Sequence, residues 1–419
     1  MADDTVQTEK GRRAAFGFIF AVGVINSTSF GLMIPVLPNL IKEFTGGDTA
    51  AASEWNVVFA VTWGLMQFFC APILGMLSDR VGRRPVLLLS LFGLGIDFLV
   101  MALAPNLMWL WIGRLINGLT AASFPTANAY VADVTPTEQR AKAFGWMGSA
   151  MSFGFIAGPA IGGWLGDIDI RLPFYAAAAL TGLNWLYGLF VLPESHPVER
   201  RLKKFDWSRA NPLGALRLLR SHHELLSLAS IWFFYQLAHM VYPSIFVLYT
   251  GYRYGWTPLE MGLAMMGTGV LGVLVQTFLV GPAVARIGER GCMLVGAASG
   301  AIGMSMYALA PTPVLYLAAM PVAALMTLLV PGLQGMMTRR VQPHEQGQLQ
   351  GANQSLTGIA GLAGPVLFGM TFAWSIRHEA SLHTPGLAIY IAASLMVLAL
   401  LIAARTARAP APEAMESKA

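Results

Sequence analysis

The sequence predicts an all-α membrane protein in which twelve transmembrane helices form two pseudo-symmetric six-helix bundles. Three observations carry that expectation. The 419 residues are 55% hydrophobic and only 12% charged, with a mean hydropathy of +0.58. That leaves too little polar surface to cover a water-soluble globule of this length. Twelve apolar stretches are each long enough to cross about 30 Å of hydrocarbon as a helix. Residues of the first half also return in the second at a fixed displacement of 206 positions, the mark of an internal repeat.

The apolar stretches fall near 15–38, 55–77, 86–104, 108–131, 143–166 and 171–192, and after a polar interval near 225–249, 259–284, 293–310, 314–338, 348–373 and 384–404. The first follows MADDTVQTEKGRRAAFGF, which mixes both signs of charge and shows no small-residue cleavage site, so it reads as a retained span and not a removed signal peptide. Basic residues collect on one side of the spans: Lys10, Arg12, Arg13, Arg80, Arg83, Arg84, Arg140 and Lys142, the Arg200–Arg220 interval, then Arg286, Arg290, Arg339, Arg340, Arg405, Arg408 and Lys418. The other side has only Lys42, Arg171, Arg253 and Arg377. The positive-inside rule then places both termini and the central loop in the cytoplasm. Because the charge alternates with the spans, the formal net charge of +5 implies topology and no nucleic-acid partner.

Cys70 and Cys292 both lie within apolar runs and read as core thiols. No Cys or His spacing suits a metal, no nucleophile motif stands in a catalytic context, and no GxxxxGK[ST] loop is present. The sequence therefore argues against an enzyme, against ATP-driven pumping by this chain and against a bound cofactor.

The repeat is specific. ALAP at 102–105 returns at 308–311, Gly75 and Gly82 return as Gly281 and Gly288, Pro125 as Pro331, and Gly158-Pro159 as Gly364-Pro365. Two homologous halves, 1–192 and 225–404, joined by a linker at 193–224 and followed by a tail at 405–419, form the plan in which a central cavity opens alternately to either side of the membrane. A monomer supplies both halves, with lipid and a small solute as its partners. The linker stretch RLKKFDWSRANPLGALRLLRSHHE is amphipathic and predicts a surface helix.

Between the second and third spans stands GMLSDRVGRRP, residues 75–85. Gly75 and Gly82 permit close approach or positive φ, and Pro85 suits a first helical turn. Asp79 can accept from backbone donors or pair with Arg83, Arg84 or Arg140. Two readings stand side by side: a latch that breaks when the halves rock, and a tight turn that only fixes topology.

Two ionisable residues lie within the bilayer, Asp97 about midway along the third span and Arg114 in the fourth. Groups at that depth point to function. Asp97 is the candidate for exchanging protons and Arg114 for tuning it; the alternative is a structural pair joining the two spans. Asn26, Gln67, Asn117, Asn128, Gln236, His239, Gln276, Gln334, Asn353 and Gln354 are either cavity-lining groups or helix-to-helix hydrogen bonds. Aromatic residues such as Trp63, Phe124, Phe234 and Tyr242 accompany them, a setting that suits an amphipathic, partly flat molecule. Gly154, Gly158, Gly162 and Gly163 of the fifth span imply close helix packing around Pro159.

GMLSDRVGRRP resembles the loop signature of the major facilitator superfamily. FGLMIPVLP at 30–38, RLINGLTAA at 114–122, DVTPTEQR at 133–140 and GFIAGPAIGG at 154–163 match further motifs, the last resembling the signature of the family's drug/proton antiporters. PGLQGMM at 331–337, HEQGQLQG at 344–351 and YRYGWTPLEMGL at 252–263 are similar to the tetracycline-exporter branch. The resemblance implies a multi-pass protein of the bacterial inner membrane that exports amphipathic drugs against protons, the proton being the coupling ion. It makes the 75–85 loop with Asp133 and Arg140 a cytoplasmic gate, gives Asp97 the role of a functional aspartate of the third span, and has Pro159 bend the fifth. Gln276 matches the branch's glutamine in span 8. Where the branch has an aspartate in span 1, a histidine in span 8 and an aspartate in span 9, this chain has Asn26, Gly272 and Gly300. That thinner proton circuitry leaves two other readings: a carrier of an endogenous metabolite that is uncoupled or differently coupled, and a non-transporting receptor of the same fold.

Overall fold

The computed structural model describes residue 17, residues 20–197, 199 and 201, residues 223–342 and residues 345–406. The amphipathic linker helix and the tail suggested by the sequence fall almost wholly outside the described residues. Among those residues the secondary structure is helical throughout, in the order α1 (Phe20–Phe44, broken at 34–36), α2 (Thr49–Val81), α3 (Arg83–Leu103), α4 (Leu107–Thr120), α5 (Ser123–Val134), α6 (Arg140–Ile168) and α7 (Leu172–Val191). There follow α8 (His223–His239), α9 (Val241–Tyr254), α10 (Pro258–Leu274), α11 (Val280–Leu309), α12 (Pro313–Ala324), α13 (Leu329–Thr338), α14 (Gln346–Arg377), a short α15 (Glu379–Leu382) and α16 (Leu387–Arg405).

Helices occupy each of the twelve apolar stretches, and nine helical runs among the described residues are both long and apolar enough to cross a membrane. The difference has three local causes. The fourth stretch is divided at Ala121 and Ala122 into α4 and α5, because Pro125 has no N–H and clashes with the carbonyl four residues back. The eighth and ninth stretches run on as Pro258–Leu309, with a kink at Gly288. In α6, glycine, serine and tryptophan dilute the apolar content. Large side chains such as Phe69, Phe153, Leu183, Phe190 and Phe278 stand exposed along these helices, a surface suited to lipid and not to water.

The described residues group into two compact units, one drawn from Met1–Gly47, Phe59–Asn211 and Trp256–Met266, the other from Asp48–Val58, Pro212–Gly255 and Gly267–Ala419. Each repeats one packing plan. In the first unit α3 lies against α7 and α4, and in the second α11 lies against α16 and α12. The turns repeat too. Asn106 caps α4 by accepting from the amides of Met108 (3.1 Å) and Trp109 (3.3 Å), and Thr312, displaced by 206, caps α12 by accepting from Leu315 (3.4 Å); both side chains take helix donors that otherwise lack partners. Pro331, the counterpart of Pro125, likewise follows a break, a 3₁₀ turn at Leu325–Leu328.

Within the first unit, α1 and α6 meet backbone to backbone. A Cβ on Gly158 would lie 2.7 Å from the Cα of Gly31, and one on Gly31 would lie 2.8 Å from the carbonyl oxygen of Gly154. Gly162 faces the backbone of Leu32 in the same way, and Gly163 faces Pro258 at the start of α10. Ser27 fastens the contact by donating to Ala150 O (3.3 Å). In the second unit the start of α2 is tied to α14 and α9: Ser53 donates to Gly369 O (2.9 Å), Asn56 to Ser244 O (3.1 Å), and Arg377 pairs with Glu54.

Gly158→Val is expected to cost about 1–3 kcal/mol through overpacking, read as a lowered midpoint in thermal unfolding of the detergent-purified protein. Gly148→Val, where a Cβ meets nothing within 4 Å, should leave the midpoint within error of wild type.

Candidate functional site

The turn at Ala104–Asn106 brings α3 and α4 side by side, and Asp97 and Arg114 face each other across them. Asp97 is fully buried and Arg114 is 5% exposed. The guanidinium meets the carboxylate on both oxygens, Nε to Oδ1 at 3.3 Å and Nη2 to Oδ2 more closely. Such fork-to-fork pairing fixes geometry as well as charge. Gly113 makes room for it, since a Cβ there would lie 2.7 Å from Asp97 Oδ1. One turn beyond Arg114, Asn117 stands beside the same carboxylate. At the positions displaced by 206 the second half has Gly303 and Met320, so this pair belongs to the first half alone.

Asn117, beside the pair, is also part of the wall of a small cavity. About 80 Å³ of space is lined by Asn26, Phe30, Trp63, Gln67, Ser90 and Asn117, together with Leu94, Ala121 and the start of α5 at Ser123–Pro125. Trp63 donates from Nε1 to Asn117 Oδ1 (2.8 Å), so a chain of neighbours runs from the cavity wall through Asn117 to Asp97. Asn26 donates from Nδ2 to Ser123 Oγ (3.1 Å), which leaves its Oδ1 buried and without a hydrogen-bond partner. An acceptor held in that way is costly unless something occupies it. Phe30 packs near Trp63 and Phe155, with ring centroids 6.1 and 6.0 Å apart.

The remaining amides are dispersed. Asn128 is exposed on α5, outside that cavity. In the second unit, Gln236 donates to Thr357 Oγ1 (3.0 Å), which also accepts from Trp232 Nε1 (3.1 Å), and Thr357 in turn donates to the backbone of Asn353 (2.9 Å). Asn353 is buried, its Nδ2 near Met337 Sδ (3.9 Å). His239 lies between Tyr235 and Tyr242, at 6.1 and 5.4 Å. Gln276 is exposed on a π-helical turn at Val275–Leu279 between α10 and α11, Gln334 is half-buried on α13, and Gln354 is exposed.

At the junction of α2 and α3 the charges of the 75–85 loop form a network centred on Arg83. It pairs with Asp79 one turn earlier and with Asp133 at the end of α5 (Nε to Oδ2, 3.1 Å), and donates to Ser78 Oγ (2.7 Å). Asp133 also accepts from Ser195 (3.3 Å). Glu194 closes the top of α3, taking the backbone amides of Arg83 (Oε1, 2.8 Å) and Arg84 (Oε2, 3.3 Å). Gly82 turns the chain into that helix at φ 111°, a conformation that favours glycine. Arg84 donates to Leu189 O (2.6 Å) at the end of α7. Gly75 stands in open space, and Arg80 and Arg140 are exposed; Arg140 donates to Thr135 O (3.4 Å) and not to Asp79. Glu194, Ser78, Gly113, Trp232 and Thr357 were not among the residues singled out from the sequence. Of these, Glu194 carries a signal: an acid directly after Pro193 at the end of the sixth span, on the side rich in arginine.

The Major Facilitator Superfamily model matches residues 19–365 and 228–419. The class C tetracycline resistance protein of Escherichia coli is 39% identical over 360 residues, covering 85% of this chain and 89% of that protein. Multidrug resistance protein 2 of Bacillus subtilis (strain 168) is 28% identical over 360 residues, 83% of this chain and 86% of that protein. In fold, the chain is similar to the crystal structure of the human organic anion transporter MFSD10 (TETRAN), with a TM-score of 0.66 at 20% identity over 94% of this chain and 99% of that one. The chain belongs to the major facilitator superfamily; it is a multi-pass membrane protein that transports small molecules and not an enzyme.

Asp97→Asn leaves the Arg114 guanidinium buried without its countercharge and is expected to cost about 3–5 kcal/mol, seen as a lowered midpoint in thermal unfolding. Asp97→Leu combined with Arg114→Met, the residue the second half carries at Met320, should recover most of that loss.

Proposed function

We propose that this member of the superfamily is a proton-coupled antiporter that exports amphipathic small molecules, tetracycline-like compounds among them, by alternating access between two six-helix halves in a bacterial inner membrane. In this reading both termini and the arginine-rich loops face the cytoplasm. The observation that carries it is the buried Asp97–Arg114 pair, which stands beside Asn117, a residue of the first-unit cavity wall held there by Trp63.

With the pair closed, Asp97 is anionic and Arg114 is neutralised. A proton arriving on Asp97 removes the countercharge, and a lone guanidinium in a low-dielectric interior is unfavourable. Protonation is thereby tied to a rearrangement that gives Arg114 a new partner or water. A substrate seated against Phe30, Trp63 and Asn26 packs on the Trp63–Asn117 contact beside the closed pair and favours the state in which Asp97 is ionised. A proton on Asp97 favours the open state, which makes substrate and proton alternatives to one another. That exclusivity is what antiport requires, each ligand favouring a different state of one protein. The unpartnered Oδ1 of Asn26 supplies an acceptor for a substrate hydroxyl or amide. The Asp79, Arg83, Asp133 and Glu194 network serves as the cytoplasmic latch, its ion pairs joining α2, α3 and α5 and the hydrogen bonds to Glu194 adding the chain beyond α7.

Asn26, Gly272 and Gly300, standing where the tetracycline-exporter branch has two aspartates and a histidine, favour one competing reading, a carrier of an endogenous metabolite that is uncoupled or differently coupled. Proteoliposome transport separates the two. With an imposed proton gradient, labelled tetracycline is expected to move uphill against the proton flux in wild type. Asp97→Asn should lose uphill movement while keeping exchange of labelled for unlabelled substrate. Movement indifferent to the gradient would favour the uncoupled carrier.

A further inference from the structure

The two halves turn alike between their second and third spans but differ in what fills the turn. Gly82 and Gly288, displaced by 206, both have positive φ (111° and 71°) and extended ψ (161° and 174°), and a helical segment begins at the residue after each. Arg84 and Arg290 both reach a late carbonyl of the last helix of their half, Leu189 O at 2.6 Å and Ala404 O at 2.7 Å. Arg83 pairs with Asp133 at 3.1 Å, and their counterparts Glu289 and Arg339 pair at 3.0 Å with the charges exchanged.

In the first half the space beside the glycine is occupied. The carboxylate of Glu194 takes the amides of Arg83 and Arg84, and a Cβ on Gly82 would run into it. In the second half a Cβ on Gly288 meets nothing within 4 Å. A cavity of about 520 Å³ lies there, bordered by Gly288, Glu289, Arg290 and Arg339 and by the apolar Ile287 and Leu294. The opening amides of a helix lack partners within it and favour an anion. The Nε of Arg290 is buried with no hydrogen-bond partner, a feature that its counterpart Arg84 shares, so the difference between the halves lies in the open space beside Gly288. Glu289 is held by Arg339, so among these residues the positive charge of Arg290 is in excess.

We propose that this cavity binds a phosphate-class oxyanion in the place that Glu194 holds in the first half. The oxyanion is either the headgroup phosphate of an anionic phospholipid, with its glycerol and acyl portion against Ile287 and Leu294, or free phosphate. The site shares no residue with the first-unit cavity and does not depend on which substrate the protein carries.

The test uses the full chain purified in detergent and titrated with phosphatidylglycerol, phosphatidylcholine or inorganic phosphate, with bound lipid read by native mass spectrometry. One phosphatidylglycerol is expected to be retained in preference to phosphatidylcholine. Retention should weaken about tenfold or more, the loss of one charge-assisted contact, in Arg290→Gln. The same loss is expected in Val284→Phe, which fills the cavity and keeps both arginines. Glu194→Ala, by vacating the matching pocket of the first half, should gain a second bound phosphatidylglycerol. Displacement of the lipid by inorganic phosphate would support an oxyanion site open to free phosphate; lipid retained against phosphate would support the headgroup as its source. Equal retention of the two lipids, or unchanged retention in both Arg290→Gln and Val284→Phe, overturns the proposal.

Discussion

A charge within hydrocarbon has no water to solvate it, so it must bring its own partner or not be there. Asp97 and Arg114 obey that constraint on neighbouring helices, and much of the first unit's centre is arranged around them. Gly113 lacks a side chain so that the carboxylate fits. Asn117 stands beside the pair and is itself held by Trp63, which brings a cavity-lining aromatic within two contacts of the charge. A buried pair of this kind is weak evidence for added stability, since desolvation offsets most of the Coulombic gain. In the proposed mechanism its value lies in being bistable: closed when the carboxylate is ionised, open when it is not.

The internal repeat shows how one frame is used for two tasks. Both halves keep the glycine turn at positive φ, the arginine that reaches the end of the last helix, and the proline that interrupts the fourth span of each half. The frame is thus set by backbone geometry and by the need to occupy helix-terminal groups. The chemistry varies on top of it. Asp97 and Arg114 have Gly303 and Met320 as counterparts, and Arg83 with Asp133 becomes Glu289 with Arg339. An ion pair whose signs are exchanged keeps its local attraction while changing the potential around it, so the two loops present different fields to whatever approaches them.

Elements set by local pattern were readable from the sequence: the apolar stretches, the ALAP turns and the glycine face of α6. Asp97 and Arg114 stood out because ionisable residues within apolar runs are rare, and Asn26, Gln67 and Asn117 do share a cavity. What sequence could not supply was partnership at long range. The carboxylate that closes the top of α3 comes from Glu194, 111 positions away from Arg83. Asp79 drew attention in the loop motif, yet the hub is Arg83, which is 12% exposed against 38% for Asp79. Asn128 looked equivalent to Asn117 by residue type, but the register of α5 turns it to an exposed face. The π-helical turn at Val275–Leu279 contains no proline, the nearest being Pro282.

The central claim is that proton and substrate compete through Asp97. The most direct measurement is proton release on adding tetracycline to the purified, unbuffered protein, followed with a pH-sensitive dye, in wild type and in Asp97→Asn. Release in wild type that vanishes in Asp97→Asn, with tetracycline still bound by the variant, is the predicted result. Equal release from both proteins would contradict the account and remove Asp97 from the coupling step.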